Sequence, residues 1–176
     1  MEWQARCRGV GEVEYFMRCT RTARAILIVA IIVVAAGCAK RLIPNTDVPD
    51  SPFNRKVIAF CERYRLAVEE KNVGTLLVLA SPEYYEDGGT PTGDDDFDFD
   101  GLRDVLINRF AKIKTIRYDI KYRKVTPESD LIHVDYTYSA SFQVVVEGQD
   151  HWFRKVEDNR LVLAHVGEQF KILSGM

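Results

Sequence analysis

Apolar residues recur at helical spacing in three stretches of the chain. The first stretch predicts an amphipathic helix from Pro52 to about Lys71, with Ser51 as its N-cap and the proline at the first helical position. Asn72 is suited to cap a second, shorter helix, which Ser81-Pro82 ends. A third helix is predicted from about Gly101 to Lys112. The apolar face of the first helix consists of Phe53, Val57, Phe60, Cys61, Tyr64, Ala67 and Val68.

From Ile116 onward the apolar period changes from 3.6 to 2, which is typical of half-buried strands. Three helices followed by consecutive strands predict an α+β domain with an antiparallel sheet. The predicted strands are a short one at Tyr84 to Asp87, one from Ile116 to Arg123, one from Ile132 to Gln143, one from Trp152 to Val166 with a break near Asp158-Asn159, and one from Phe170 to Leu173; the predicted turns are Thr126 to Asp130 and Glu147 to Asp150.

The chain before these elements carries a different pattern. Ala25 to Ala39 is a run of fifteen residues without charge, preceded by Arg18, Arg21 and Arg24. As a helix this run measures about 22 Å, whereas the hydrocarbon core of a bilayer is about 30 Å thick. A basic segment, an apolar segment and small residues, in that order, are typical of a secretory signal. Because sixteen residues precede Met17, translation starts either there or at Met1.

The small residues end at a cysteine. Val34-Ala35-Ala36-Gly37-Cys38 resembles the lipobox of bacterial lipoproteins, whose cysteine is acylated after cleavage of the signal. The resemblance implies lipid on Cys38, and Ala39 after it favours the periplasmic face of the outer membrane over the inner membrane. A short transmembrane anchor and an ordinary cleaved signal are the alternatives. Several acyl chains hold a protein at a membrane more firmly than one.

These patterns divide the chain into three parts. Residues 1–37 are an N-terminal extension with the signal peptide, 38–51 a lipid-attached tether, and 52–176 the folded domain. Pro44 and Pro49 are typical of an extended tether.

Charge and cysteine content exclude several classes of function. After Cys38 the chain has 19 basic and 23 acidic residues, a balance that excludes a nucleic-acid partner. Cys61 is the one cysteine left in the domain and lies on the apolar helical face, which predicts a buried thiol. His133, His151 and His165 do not have the spacing of zinc ligands, and no cofactor is predicted.

The order of the elements resembles the nuclear transport factor 2-like superfamily, a cone in which a curved sheet wraps around the first helix. The stretch Ser81-Pro82-Glu83-Tyr84-Tyr85-Glu86-Asp87-Gly88-Gly89 contributes to the resemblance, which covers about Pro52 to Met176. It implies an α+β cone whose sheet often pairs with a second copy. The superfamily contains isomerases, dehydratases, binding modules and structural domains, so the fold does not select a function.

Superfamily members with ketosteroid isomerase activity use a tyrosine on the first helix, an aspartate base after the second helix and an acidic donor on a later strand. By this resemblance Tyr64 and Asp87 correspond to the first two. Asp150 opens its strand and is out of register for the third, where Val162 and Leu163 stand instead. The alternative is that Tyr64 is a core aromatic and Asp87 a turn residue before two glycines.

Five aspartates lie close together before the third helix. Asp96, Asp98, Asp100 and Asp104 have the spacing of the opening half of an EF-hand loop, with Gly101 at its sixth position. Ile107 stands where the closing bidentate acid belongs, so a metal bound here is expected to be Ca²⁺ and to be held weakly. The alternative is that this charge stabilises the N-terminus of the helix, with Asp100 as its cap.

Two functional hypotheses follow. The first is a non-catalytic envelope lipoprotein that binds an apolar small molecule or an envelope protein, with a pocket lined by Tyr64, Tyr84, Tyr85, Tyr136 and Tyr138. The second is an isomerase or dehydratase that uses Asp87 and Tyr64. In either case we expect a concentration-dependent homodimer through the polar sheet face that carries His133, Asp135, Thr137, Ser139 and Ser141.

Overall fold

The computed structural model describes residues 41–88, 92–93, 95–167 and 169–176. Cys38, the predicted signal peptide and the start of the predicted tether lie outside the described residues. The elements, in chain order, are α1 (Pro52–Glu69), α2 (Val73–Leu79), β1 (Tyr85–Glu86), β2 (Phe97–Asp98), α3 (Phe99–Ala111), β3 (Thr115–Glu128), β4 (Leu131–Val146), β5 (Gln149–Val166) and β6 (Gln169–Ser174).

Side-chain caps fix where the helices begin. The Ser51 side chain accepts a hydrogen bond from the backbone N–H of Asn54, and Asn72 accepts one from Thr75, so both caps predicted from sequence are confirmed. The third helix begins two residues earlier than predicted. Its cap is Asp98, which accepts from the N–H of Gly101 at 3.0 Å, and Asp100 lies inside the first turn. The prediction of Asp100 as the cap is therefore wrong.

The four long strands form one antiparallel sheet in the order β3-β4-β5-β6. The first two turns are tighter than predicted, because β3 continues to Glu128 and β5 already begins at Gln149. Glu147 and Gly148 both have positive φ, which suits a two-residue hairpin turn. The predicted break at Asp158-Asn159 is wrong: both residues remain in register with β4, opposite Thr137 and Tyr136.

The hydrophobic core lies between α1 and one face of the sheet. Buried side chains of α1 alternate at helical spacing and meet the inward residues of all four long strands. Cys61 is fully buried among them, as predicted, and burial raises the pKa of its thiol. The α+β class predicted from sequence is confirmed. Among the described residues no helix is both long and apolar enough to cross a membrane.

Residues 41–50, predicted as part of a tether, form a closed loop against the domain. Leu42 bridges Pro49, and the N–H of Asp50 donates to the carbonyl of Arg41 at 2.7 Å. Val48 is fully buried, and the N–H of Asp47 donates to the carbonyl of Tyr122. Residues 41–50 therefore belong to the same compact unit as residues 52–176.

Candidate functional site

Tyrosine side chains occupy the space between α1 and the sheet. Tyr64 from α1, Tyr118 from β3 and Tyr136 from β4 are buried, and their hydroxyl groups hydrogen-bond to one another. The rings of Tyr64 and Tyr118 meet edge to face with centroids 6.4 Å apart. Burial is the main cause that raises the pKa of all three hydroxyls, so they stay protonated at physiological pH. This cluster offers hydrogen bonds but no charge.

The tyrosines predicted to line a pocket lie in three environments. Tyr64, Tyr84 and Tyr136 belong to the core, and Tyr138 is half-buried with its hydroxyl donating to Glu157 at 2.7 Å. Tyr85 is 52% exposed, and its hydroxyl donates to the carboxylate of Asp96. Tyr84 and Tyr85 diverge because adjacent residues of an extended chain point to opposite sides.

Gly175 and Met176 close the space beside this cluster. The carboxylate of Glu86 accepts from the hydroxyl of Tyr84 at 2.6 Å and from the N–H of Gly175 at 2.7 Å. The hydroxyl of Tyr136 donates to the carbonyl of Gly175 at 3.4 Å. Burial raises the pKa of Tyr84, so this hydroxyl also remains a donor. Glu86 thus has a structural role, because its carboxylate joins Tyr84 to Gly175.

Asp87, the predicted catalytic base, is exposed, whereas the Tyr64 side chain is 4% exposed. The inward carboxylate of this segment is Glu86, one residue earlier. Neither Asp87 nor Tyr64 lines the cavity beside Phe170, the one beside Thr137 or the one beside Val145. The two residues that the resemblance implies for catalysis therefore lie in different environments.

The acidic residues considered as Ca²⁺ ligands have separate positions and contacts in the fold. Asp96 accepts from the hydroxyl of Tyr85 and from the N–H of Gly88, and Asp98 caps α3. Asp100 and Asp104 lie on α3 itself. Within residues 41–88, 92–93, 95–167 and 169–176, no three acidic, histidine or cysteine side chains form a group that could hold a metal ion.

A cleft of about 760 Å³ opens between α1, the end of α2 and the hairpin of β5 and β6. Its centre is Phe170, whose ring contacts those of Phe53, Phe60 and His165 at centroid distances of 6.4, 5.7 and 5.3 Å. All three contacts are edge-on, and all four rings line the cleft. The volume is within the range of small-molecule sites.

Three basic side chains line the same cleft. Lys171 donates to the carbonyl of Val78 at 2.5 Å, at the C-terminal end of α2, where a cation is favourable. Lys56 and Arg63 are exposed and form no ion pair with any described residue. The cleft thus combines an aromatic floor with cationic side chains available to an anion.

Reasoning from the sequence did not identify this cleft. The signal lies in the spacing of Phe53, Lys56, Phe60 and Arg63, which are three, four and three residues apart and so share one helix face. The distant residue Phe170 completes the cleft only once β6 is folded against α1.

No protein-family model and no curated protein matches this chain in sequence. Solved structures match it in fold. The protein Kfla4162 from Kribbella flavida aligns with a TM-score of 0.58 at 15% identity, over 69% of this chain and 86% of that protein. A protein of the nuclear transport factor 2-like family from Streptomyces avermitilis, described as a dehydratase, gives 0.58 at 13% identity, over 69% and 92%.

A third match is a ketosteroid isomerase-like protein from Erwinia carotovora, with a TM-score of 0.56 at 13% identity, over 70% of this chain and 93% of that one. Identities this low establish the fold alone. The domain has the nuclear transport factor 2-like fold, with three helices and a curved antiparallel sheet, as predicted from sequence.

Proposed function

We propose that this protein is a non-catalytic binding lipoprotein of the bacterial cell envelope, and that its ligand is an apolar molecule bearing one anionic group. The observation that carries the proposal is the contrast between a filled tyrosine interior and an open cleft that presents Lys56 and Arg63 beside aromatic rings. Binding, in this proposal, occurs outside the cone.

The polar groups of the interior already pair with one another, and this favours a binding site outside the interior. Catalysis by proton transfer needs a base within reach of the substrate and of the oxyanion donor. Asp87 is exposed, Glu86 holds Tyr84 and Gly175, and the buried hydroxyls bond to each other. The alternative, an isomerase or dehydratase that uses Asp87 and Tyr64, therefore has less support than a binding module.

The chemistry of the cleft defines the ligand class. Edge-on rings of Phe53, Phe60 and Phe170 offer an apolar surface, and the two cationic side chains suit a carboxylate or a phosphate. An amphiphile such as a fatty acid has both parts.

Attachment through Cys38 brings the cleft close to a membrane. Two residues, Ala39 and Lys40, stand between Cys38 and Arg41, and the three Cα–Cα steps of this stretch span at most about 11 Å. Arg41 is hydrogen-bonded to Asp50, two residues before Pro52 at the cleft wall. An amphiphile leaving the bilayer surface is then near its site. The outer membrane, on its periplasmic face, is the proposed location.

Two experiments test the two parts of this proposal. Cys38→Ala in the full chain should abolish labelling by radioactive palmitate and leave an uncleaved precursor, because acylation needs the thiol; a wild-type chain that takes up no label contradicts the anchor.

For the ligand, a dansyl-labelled undecanoic acid is titrated into the detergent-solubilised full chain. Lys56→Glu/Arg63→Glu should weaken binding at least about tenfold because two attractive charges become repulsive. Arg117→Glu, an exposed charge on β3 away from the cleft, is the matched control and should bind as the wild type does. Equal affinity in all three proteins would remove the cleft as the site.

A further inference from the structure

The outer edge of β5 has no partner strand over most of its length. β4 pairs with residues 149–164 of β5, but β6 covers the other edge only from Val162 to Val166. Among the described residues, no strand pairs with that edge from Gln149 to Leu161, and Gly175 packs against it at the carbonyl of Arg160, beside β6. Every second residue of such an edge presents a free backbone N–H and C=O to another strand.

This edge lacks two of the features that usually prevent strand pairing, proline and a β-bulge. It has no proline, and its pairing with β4 runs from Gln149 to Ala164 without a bulge. Its side chains are exposed on both faces from Gln149 to Arg160, including Trp152 at 59% and Val156 at 54%. An exposed edge without proline or bulge is open to pairing with another strand, and the charged side chains along it restrict which strand fits.

The charges along this edge are positive before Val156 and negative after it. Arg154 and Lys155 precede Val156, and Glu157 and Asp158 follow it. If two copies pair antiparallel with Val156 opposite Val156, each Arg154 lies opposite Asp158 of the other copy and each Lys155 opposite Glu157. Parallel pairing in register would place like charges together. A self-complementary charge pattern therefore selects one partner and one orientation.

We propose that two copies of this chain dimerise through antiparallel pairing of their β5 edges, centred on Val156, which joins the two four-stranded sheets into one. The flanking positions agree with this register. Trp152 comes opposite Arg160, where the guanidinium can stack on the indole ring, and Phe153 comes opposite Asn159. The interface is a C2 interface, in which the same segment of each copy contacts the other.

The bonds that these charges already make within the chain are compatible with pairing. Thr137 donates to Oδ1 of Asp158, and both Lys155 and Tyr138 contact Oε2 of Glu157. One oxygen of each carboxylate thus remains for a partner, since an ionised carboxylate accepts several hydrogen bonds. Arg154 forms no ion pair with a described residue, so its charge is available to Asp158 of the second copy.

The edge is better suited to pairing than the sheet face expected from sequence. On that face Arg160 pairs with Asp135 at 2.6 Å, and Arg123 pairs with Asp47 and bonds to Thr137. These charges are matched within one chain, so a second copy gains little by covering them. The edge instead offers the charge of Arg154, which pairs with no described residue, and backbone groups that a second copy satisfies. This inference is independent of the proposed ligand.

Cysteine cross-linking in the full chain tests the proposal. In the proposed register the two Val156 Cα atoms lie about 4.5–5.5 Å apart, which is within the range of a disulfide. Val156→Cys in isolated membranes, oxidised with copper phenanthroline, should give a dimer on a non-reducing gel. The wild-type chain measures the background from native cysteines, and Ser139→Cys on the central strand probes the alternative face-to-face dimer.

Charge reversal and its restoration make the test specific. In the Val156→Cys background, Arg154→Asp should lower the cross-linked fraction at least about fivefold, because two attractive pairs become repulsive. Arg154→Asp combined with Asp158→Arg exchanges the two charges and should restore cross-linking to within about twofold. Resistance of the buried Cys61 to thiol reagents verifies that each variant is folded.

Each outcome decides the proposal. Cross-linking at position 156 that follows the charges supports edge pairing. Cross-linking at position 139 alone supports the face dimer and overturns it. Absence of cross-linking at position 156 in a folded chain, or a charge exchange that fails to restore it, also overturns it.

Discussion

Helix α1 contributes to two regions that differ in burial and in charge. Its inward face contributes Tyr64 to a buried, neutral cluster in which hydroxyl groups bond to each other. The face carrying Phe53, Lys56 and Arg63 lines an open cleft, and its two cations form no ion pair with a described residue. In the first region polar groups stabilise the fold, and in the second they remain available to a ligand. The comparison teaches that a cone fold with a filled interior still presents a cleft on its outer surface.

The largest expected effect concerns the tyrosine interior at high pH. Burial raises the pKa of the five buried tyrosines above the value near 10 of the unfolded chain. Their contribution to stability is therefore complete below pH 10 and is lost above it, because the unfolded state then binds fewer protons. The loss is about 1.4 kcal/mol for each tyrosine and each pH unit, so unfolding is expected within about two units.

Urea unfolding at pH 9, 10 and 11 measures this loss. Tyr136→Phe removes one of these groups and should make the decline with pH shallower by about 1.4 kcal/mol per unit. A free energy of unfolding that is the same at pH 9 and pH 11 would show that these hydroxyls are not buried.

Truncation of a ring in the interior is the next largest effect. Tyr136→Ala should lower the free energy of unfolding by about 3–5 kcal/mol, because it leaves a cavity and frees hydrogen-bond partners. Tyr85→Ala, at an exposed position, is the control and should cost less than about 1 kcal/mol. Similar losses for both variants would contradict the assignment of Tyr136 to the core.

A pair of glycine substitutions tests whether Gly175 packs against β5. Gly175 has a φ of 94°, and a Cβ there would lie 1.9 Å from the carbonyl oxygen of Arg160. Gly148 also has a positive φ but would meet nothing within 4 Å. Gly175→Ala should therefore cost about 1–3 kcal/mol more than Gly148→Ala by chemical denaturation. Equal costs would mean that Gly175 does not pack against β5.

Much of the fold, but little of the site, is predictable from the sequence. The caps Ser51 and Asn72 and the change of period at Ile116 depend on residues close in the chain, and these predictions are confirmed. The inward position of Glu86 depends on the register of a two-residue strand, which the sequence does not determine. Lys56 and Arg63 match an ordinary solvated helix face until Phe170 packs beside them.

The loop of residues 41–50 was unpredictable for a related reason. Two prolines and several polar residues are typical of a tether, and only Val48 is fully buried. What holds the loop is a backbone bond from Asp47 to Tyr122 and the pairing of Asp47 with Lys121 and Arg123. Contacts between residues about 75 positions apart leave no local pattern.

The smallest effect on stability is expected in the cleft. Phe53 is 38% exposed and meets Phe170 only at its edge, so Phe53→Ala should change the free energy of unfolding by about 1 kcal/mol or less. The same substitution should weaken binding of the dansyl fatty acid several-fold, because it removes part of the apolar floor. A large loss of stability without loss of binding would contradict the proposal that this face of α1 binds the ligand while the interior stabilises the fold.

The most direct test of binding outside the cone is an NMR titration of the full chain in detergent micelles with selectively labelled phenylalanine and tyrosine. With increasing dansyl fatty acid, we expect shifts of the ring signals of Phe53, Phe60 and Phe170, while those of Tyr64, Tyr118 and Tyr136 remain in place. Shifts of the tyrosine rings with unchanged phenylalanine signals would place the ligand inside the cone and contradict the account.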